Sequence, residues 1–140
     1  MMRKSPNIVA CGALLLAGLF TLALGQGQTE EPVATTRMYS NLRWSVERNA
    51  LVGANIRITR EGDEIRGSYI VFEQNPQGTH YRFTGTARGD HLTFTVRVAG
   101  ATLRFSGRMT EDELIGKMTT IRPDGTREEK DFKARRMWRH

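Results

Sequence analysis

A chain of 140 residues is long enough for one domain with a substantial core, and its formal charge of +6 permits an acidic partner without requiring one. The only cysteine is Cys11, so nothing beyond that position can form a disulfide or act as a thiol nucleophile.

Residues 1–25 have the plan of a secretory signal. Arg3 and Lys4 precede an apolar run from Ile8 to Leu24, and Ala23-Leu24-Gly25 puts small residues at its end. This predicts a secreted or periplasmic protein cut after Gly25. Left uncut, the run sits at the lower limit of about 17 residues for a membrane anchor, which is the only membrane contact expected. Ile8-Val9-Ala10-Cys11 resembles a lipoprotein box, but Cys11 precedes most of the apolar run, so lipidation is not expected. Removing Arg3 and Lys4 with the segment leaves 19 Lys and Arg against 15 Asp and Glu, a charge of +4.

Residues 26–38 are polar and aperiodic, hold Glu30, Glu31 and Pro32, and read as a flexible spacer. A β domain is expected over 39–137, followed by a tail at 138–140. Eight strands are predicted, centred near Trp44, Ile56, Tyr69, Phe83, Thr95, Phe105, Met118 and Phe132. Their spacing of roughly 10 to 13 residues is that of an all-β barrel or sandwich. The phrase apolar-x-Gly-x-apolar occurs four times, around Gly67, Gly85, Gly107 and Gly116. Between them Leu92 to Val98 alternates strictly, the period of a half-buried strand. The fold class expected is therefore an eight-stranded antiparallel up-and-down meander barrel.

The turns test this assignment. Gly62-Asp63 and Gly89-Asp90 suit two-residue hairpins, and Pro123-Asp124-Gly125 suits a three-residue loop with a left-handed glycine. Pairing outward from them sets Ile58 opposite Gly67, Ile56 opposite Tyr69, Gly85 opposite Phe94, Phe94 opposite Phe105, and Gly116 opposite Phe132. All of these join inward residues, as a correct register must. With Asn75 to Gly78 as a loop, Tyr81 meets Phe72, so a bulge or another loop length is needed there. The four repeat glycines gather near one end, where sharp coiling under aromatic cover is expected. Loops near Asn49, Asn75, Ala99 and Pro123 mark the other end as the mouth.

This pattern resembles the calycin barrels, the group of lipocalins, fatty-acid-binding proteins and avidins, and also small exported bacterial domains. Calycins tend to place a Trp on the first strand at the closed end, covered by an Arg from the last. The resemblance implies that Trp44 and Arg136 fill those roles, with Leu42 standing where lipocalins usually have Gly.

Barrels of this size are either filled by side chains or hold one small ligand. A ligand-binding barrel would take a small apolar or amphipathic molecule through the mouth, lined by Tyr69, Tyr81, Phe83, Phe105, Met118 and Lys130. Simple core packing accounts for the same aromatic residues. The alternative use is external. Arg66, Arg82, Arg88, Arg97, Arg104 and Arg108 share the polar parity, interleaved with threonines, and Arg82 falls opposite Arg97. Such a face suits an anionic envelope polymer or an acidic protein, and equally a solvated strand surface. Nucleic acid is not expected, because no exposed aromatic accompanies the arginines. Neither catalysis nor a metal or other cofactor is expected: His80, His91 and His140 are scattered, and the acids gather at turns, as in Glu61, Asp63, Glu64 and in Glu111, Asp112, Glu113.

Overall fold

The structure is a computed structural model that describes residues 30–73 and 75–137. The expected signal segment, Cys11 and His140 lie outside the described residues. Nine strands form one sheet: β1 (Thr35–Ser40), β2 (Arg43–Ser45), β3 (Ala50–Glu61), β4 (Glu64–Phe72), β5 (Thr79–Arg88), β6 (His91–Val98), β7 (Ala101–Met109), β8 (Glu113–Ile121) and β9 (Arg127–Arg136). Each pairs antiparallel with its sequence neighbour from β3 to β9, and β1 pairs with both β9 and β3. That double pairing closes an eight-stranded up-and-down barrel, to which β2 is a short extension beside β3.

The expected register holds wherever turn chemistry specified it. Ile58 pairs with Gly67, Ile56 with Tyr69, Gly85 with Phe94, Phe94 with Phe105, and Gly116 with Phe132. Glu61 pairs with Glu64 across Gly62-Asp63, and Arg88 with His91 across Gly89-Asp90. Gly125 takes φ 85° in the predicted three-residue loop. The unresolved hairpin settles with a longer loop: Val71 pairs with Thr79, which sets Tyr81 opposite Tyr69.

The barrel begins earlier than the sequence suggests. Thr35 to Met38, read as part of a spacer, belong to β1. Trp44 was expected on the first strand facing inward, but it lies on β2, pairs with Leu51 and is 62% exposed. The cause is parity. The β2–β3 hairpin closes on the four residues 46–49, with Ser45 opposite Ala50, and this register carries through β1 so that Tyr39 meets Ile56. Odd positions of β1 and β2 therefore share the inner face with even positions of β3, and Trp44 falls outside; a slip of one residue exchanges the two faces of a strand.

The closed half of the barrel is filled. Phe83 stacks on Phe94 at 4.2 Å between centroids, Phe94 on Phe105 at 5.0 Å, and Phe132 meets Phe105 edge-on at 5.7 Å. Such contacts add to the burial of large apolar area. The four repeat glycines allow the coil around this stack. A Cβ on Gly107 would come within 2.6 Å of the Gly116 Cα on the next strand, and one on Gly67 would collide with the Arg57 carbonyl and the Phe83 ring. Only a residue without a side chain permits strands to pass that closely.

Candidate functional site

Towards the mouth the inner face changes character. Ala54, Tyr69, Val71, Tyr81, Val98, Leu103, Met118 and Phe132 keep the inward period, but Val71, Tyr81, Val98 and Leu103 are only partly buried. Among the described residues no strand crosses above them, so the barrel stays open there. Two adjacent cavities result, of about 730 Å³ and 470 Å³, sharing Tyr69, Val71, Glu73, Met118 and Thr120 as a common wall. The larger runs between Tyr81, Val98 and Leu103 beneath Asn75. The smaller runs under the β2 hairpin, past Arg43 and Ser45, to Lys130 and Phe132.

Strand position accounts for each polar group. Tyr69 on β4 and Tyr81 on β5 are direct cross-strand partners. Tyr69 is 9% exposed, and burial pushes its phenol up to about 12, with the nearby Glu73 carboxylate adding to the rise. The group therefore stays protonated at neutral pH, a neutral donor and acceptor. Neither tyrosine hydroxyl bonds to another described residue. Glu73 stands where β4 leaves the barrel, and Lys130 pairs with Met118 across β8 and β9. The resulting wall is mixed: Val71, Val98, Leu103 and Met118 supply apolar surface, while two phenols, Thr79, Thr120 and charges of both signs supply polar groups.

Of the six residues expected to line a ligand site, the structure brings four to the mouth: Tyr69, Tyr81, Met118 and Lys130. Lys130 has the expected inner parity but not a buried position; its ammonium lies 3.3 Å from Glu128 and the side chain is largely in solvent. Phe83 and Phe105 line neither cavity. Both sit in the ring stack below the cavities, where Phe105 is fully buried. Val71, Val98 and Leu103 were missed, although they continue by twos from Tyr69, Val96 and Phe105 and the same period would have found them. Glu73 has no such signal.

The closed end also differs from expectation. Arg136 reaches the inner face of β9, but its partner on β1 is Tyr39 rather than Trp44. Its guanidinium donates to the Glu111 carbonyl at 3.3 Å, across the turn before β8. Burial raises the Tyr39 phenol, an effect opposed by the charges of Arg37 and Arg136. His80 and His91 are exposed on the outer surface.

On the outside, Arg66, Arg82 and Arg97 line a third concavity of about 790 Å³ together with Arg57, which the sequence reading did not include. Arg104 lies beside it, opposite Thr95. Arg88 and Arg108 belong to a separate row near the closed end, where Arg108 holds Asp90 at 2.6 Å.

Compared with protein-family models, curated proteins and solved structures, the chain finds no match in any of the three.

Proposed function

We propose that this protein is a non-enzymatic binding module of calycin type, which takes one small apolar or amphipathic molecule into the mouth half of its barrel after export and removal of residues 1–25. One observation carries the reading: the inner face is packed solid around the Phe83, Phe94, Phe105 and Phe132 rings and left open above them. A barrel serving only as a scaffold gains stability by filling that space, since unfilled apolar surface forgoes packing. The larger cavity alone falls within the roughly 300–1,000 Å³ of ordinary ligand sites.

The chemistry of the wall sets the ligand class. Val71, Val98, Leu103 and Met118 suit a hydrocarbon or aromatic body, Tyr69 and Tyr81 can hydrogen-bond one oxygen or nitrogen at mid-depth, and Glu73 and Lys130 leave a polar end at the rim. The experiment is native mass spectrometry of the protein purified from its own compartment, paired with titration of a fluorescent lipophilic dye. A copurified small molecule, or stoichiometric dye binding, supports the reading. An apoprotein that binds no dye removes it.

A further inference from the structure

The outer face of the barrel carries one arginine on each of five consecutive strands: Arg57 on β3, Arg66 on β4, Arg82 on β5, Arg97 on β6 and Arg104 on β7. The register places them in two adjoining rows. In one, Arg57 faces Ser68, which faces Arg82, and Arg97 follows one step beyond the last paired residues, Phe83 and Val96. In the other, Thr59, Arg66, Thr84, Thr95 and Arg104 are successive partners. The cations thus form a zigzag running across the strands, at about 4.8 Å per strand, over roughly 19 Å. All five side chains are exposed, and the first four line the 790 Å³ concavity.

The band differs from the neighbouring β8–β9 surface in how many of its cations have acidic partners. On β8, β9 and the turn between them the lysines and Arg122 are matched, with Lys117 2.6 Å from Asp131, Lys133 3.1 Å from Glu113, Lys130 3.3 Å from Glu128 and Arg122 2.9 Å from Glu128, while Arg127 and Arg135 form no ion pair among the described residues. Within the band only Arg66 has an acidic neighbour among the described residues, Glu61 at 3.5 Å. Like charges on adjacent strands repel, and an anion lying between them removes the penalty.

We infer that this band docks a linear anionic polysaccharide, laid across the strands with its carboxylate or sulfate groups on successive arginines. A line of cations with a fixed repeat fits a polymer with a repeating charge better than it fits a compact acidic protein. A protein partner would need an apolar anchor at the centre, and among the described residues the only apolar side chain lining the concavity is Phe83, 5% exposed. Nucleic acid lacks a stacking platform for the same reason. The hydroxyls of Thr59, Ser68, Thr84 and Thr95 alternate with the guanidinium groups and suit sugar hydroxyls. The band faces away from the mouth and is independent of any ligand held there.

The test measures binding of the whole secreted chain to polygalacturonate as a function of salt, beside Arg82→Gln/Arg97→Gln and a control of equal charge, Arg88→Gln/Arg135→Gln. The expected result is wild-type binding that weakens steeply with salt, a loss of about tenfold or more in the band variant with a salt slope smaller by about two, and little change in the control. Monomeric galacturonate should bind far more weakly than the polymer. Failure of the wild type to bind at low salt, equal losses in both variants, or tighter binding of a single-stranded oligonucleotide or an acidic protein would each overturn the proposal. Lipophilic-dye binding by the band variant should equal that of wild type, which also shows that the variant is folded.

Discussion

Tyr39 donates a 2.6 Å hydrogen bond from its hydroxyl to the backbone carbonyl of Thr110, joining the first barrel strand to a turn 71 residues away. The Thr110 turn is braced in turn by Arg136, whose backbone N–H donates to the Asp112 carbonyl at 2.7 Å. The ends of the chain's β domain are thus fastened at one place, where β1 closes the barrel against β9.

Closure through Tyr39 rather than Trp44 gives a direct comparison. Tyr39→Phe keeps the ring and abandons the Thr110 carbonyl, so it should cost about 1–2 kcal/mol. Tyr39→Ala removes a fully buried ring as well and should cost about 3–5 kcal/mol. Trp44→Ala acts on a side chain in solvent and should stay within about 0.5 kcal/mol. Urea denaturation of the three variants checks the order; a Trp44→Ala loss as large as that of Tyr39→Ala would contradict the parity of the first strand.

The repeat glycines differ in kind from the turn glycines. A side chain at Gly107 meets the backbone of β8, which cannot rotate away, so Gly107→Ala and Gly107→Asn should each cost about 3 kcal/mol. Gly100 has φ 75° and open space around it. Gly100→Ala should cost about 1 kcal/mol through the left-handed backbone, and Gly100→Asn should recover much of that loss, because Asn tolerates this conformation. Thermal unfolding of the four variants separates close approach from backbone strain.

What the sequence disclosed follows from the same distinction. Strands β3 to β8 were legible because inward apolar residues recur by twos beside a turn whose glycine fixes the register, and β9 because Phe132 and Ala134 follow in register from the Gly125 turn. β1 was not, because its inward residues are Thr35, Arg37 and Tyr39, which leave one apolar residue and no period. The four-residue turn at 46–49 has no glycine to announce its length, so the wrong parity followed for Trp44. The same limit applies to the site. Tyr69, Tyr81 and Met118 stood out by type and period, whereas the boundary between filled and open barrel depends on how far the Phe stack rises, and no single position records that.

Tyr69 should make stability depend on alkaline pH. Its phenol titrates near 10 in the unfolded chain and near 12 when folded, so the protonated form is favoured by folding. The contribution is intact below pH 10, and is lost as the unfolded chain ionises first and the pH climbs towards 12. Relative to Tyr69→Phe, wild type should lose about 2 kcal/mol between pH 9 and pH 12. Denaturant midpoints of the two proteins across that range give the difference, and absorbance at alkaline pH should show one late phenol that the variant lacks. A constant difference across the range would place the Tyr69 hydroxyl in water.

Filling the larger cavity without disturbing the floor offers the last test. Leu103 is partly buried, lines the space opposite Tyr81, and pairs with Val96 and Thr120, so its side chain points into the mouth half. Leu103→Trp adds ring volume where the wall already has room, and the stability change should stay under about 1.5 kcal/mol, the cost usual for a tolerated hydrophobic swap. Binding of a lipophilic dye should fall by at least about tenfold, since the indole occupies the volume the dye needs and an affinity loss of that size corresponds to about 1.4 kcal/mol. Phe105→Leu, within the ring stack, should do the reverse: it opens space beneath Met118, costs more in stability, and leaves dye affinity equal or greater. If both substitutions weaken the dye alike, the molecule reaches the floor, and Phe105 belongs to the site after all.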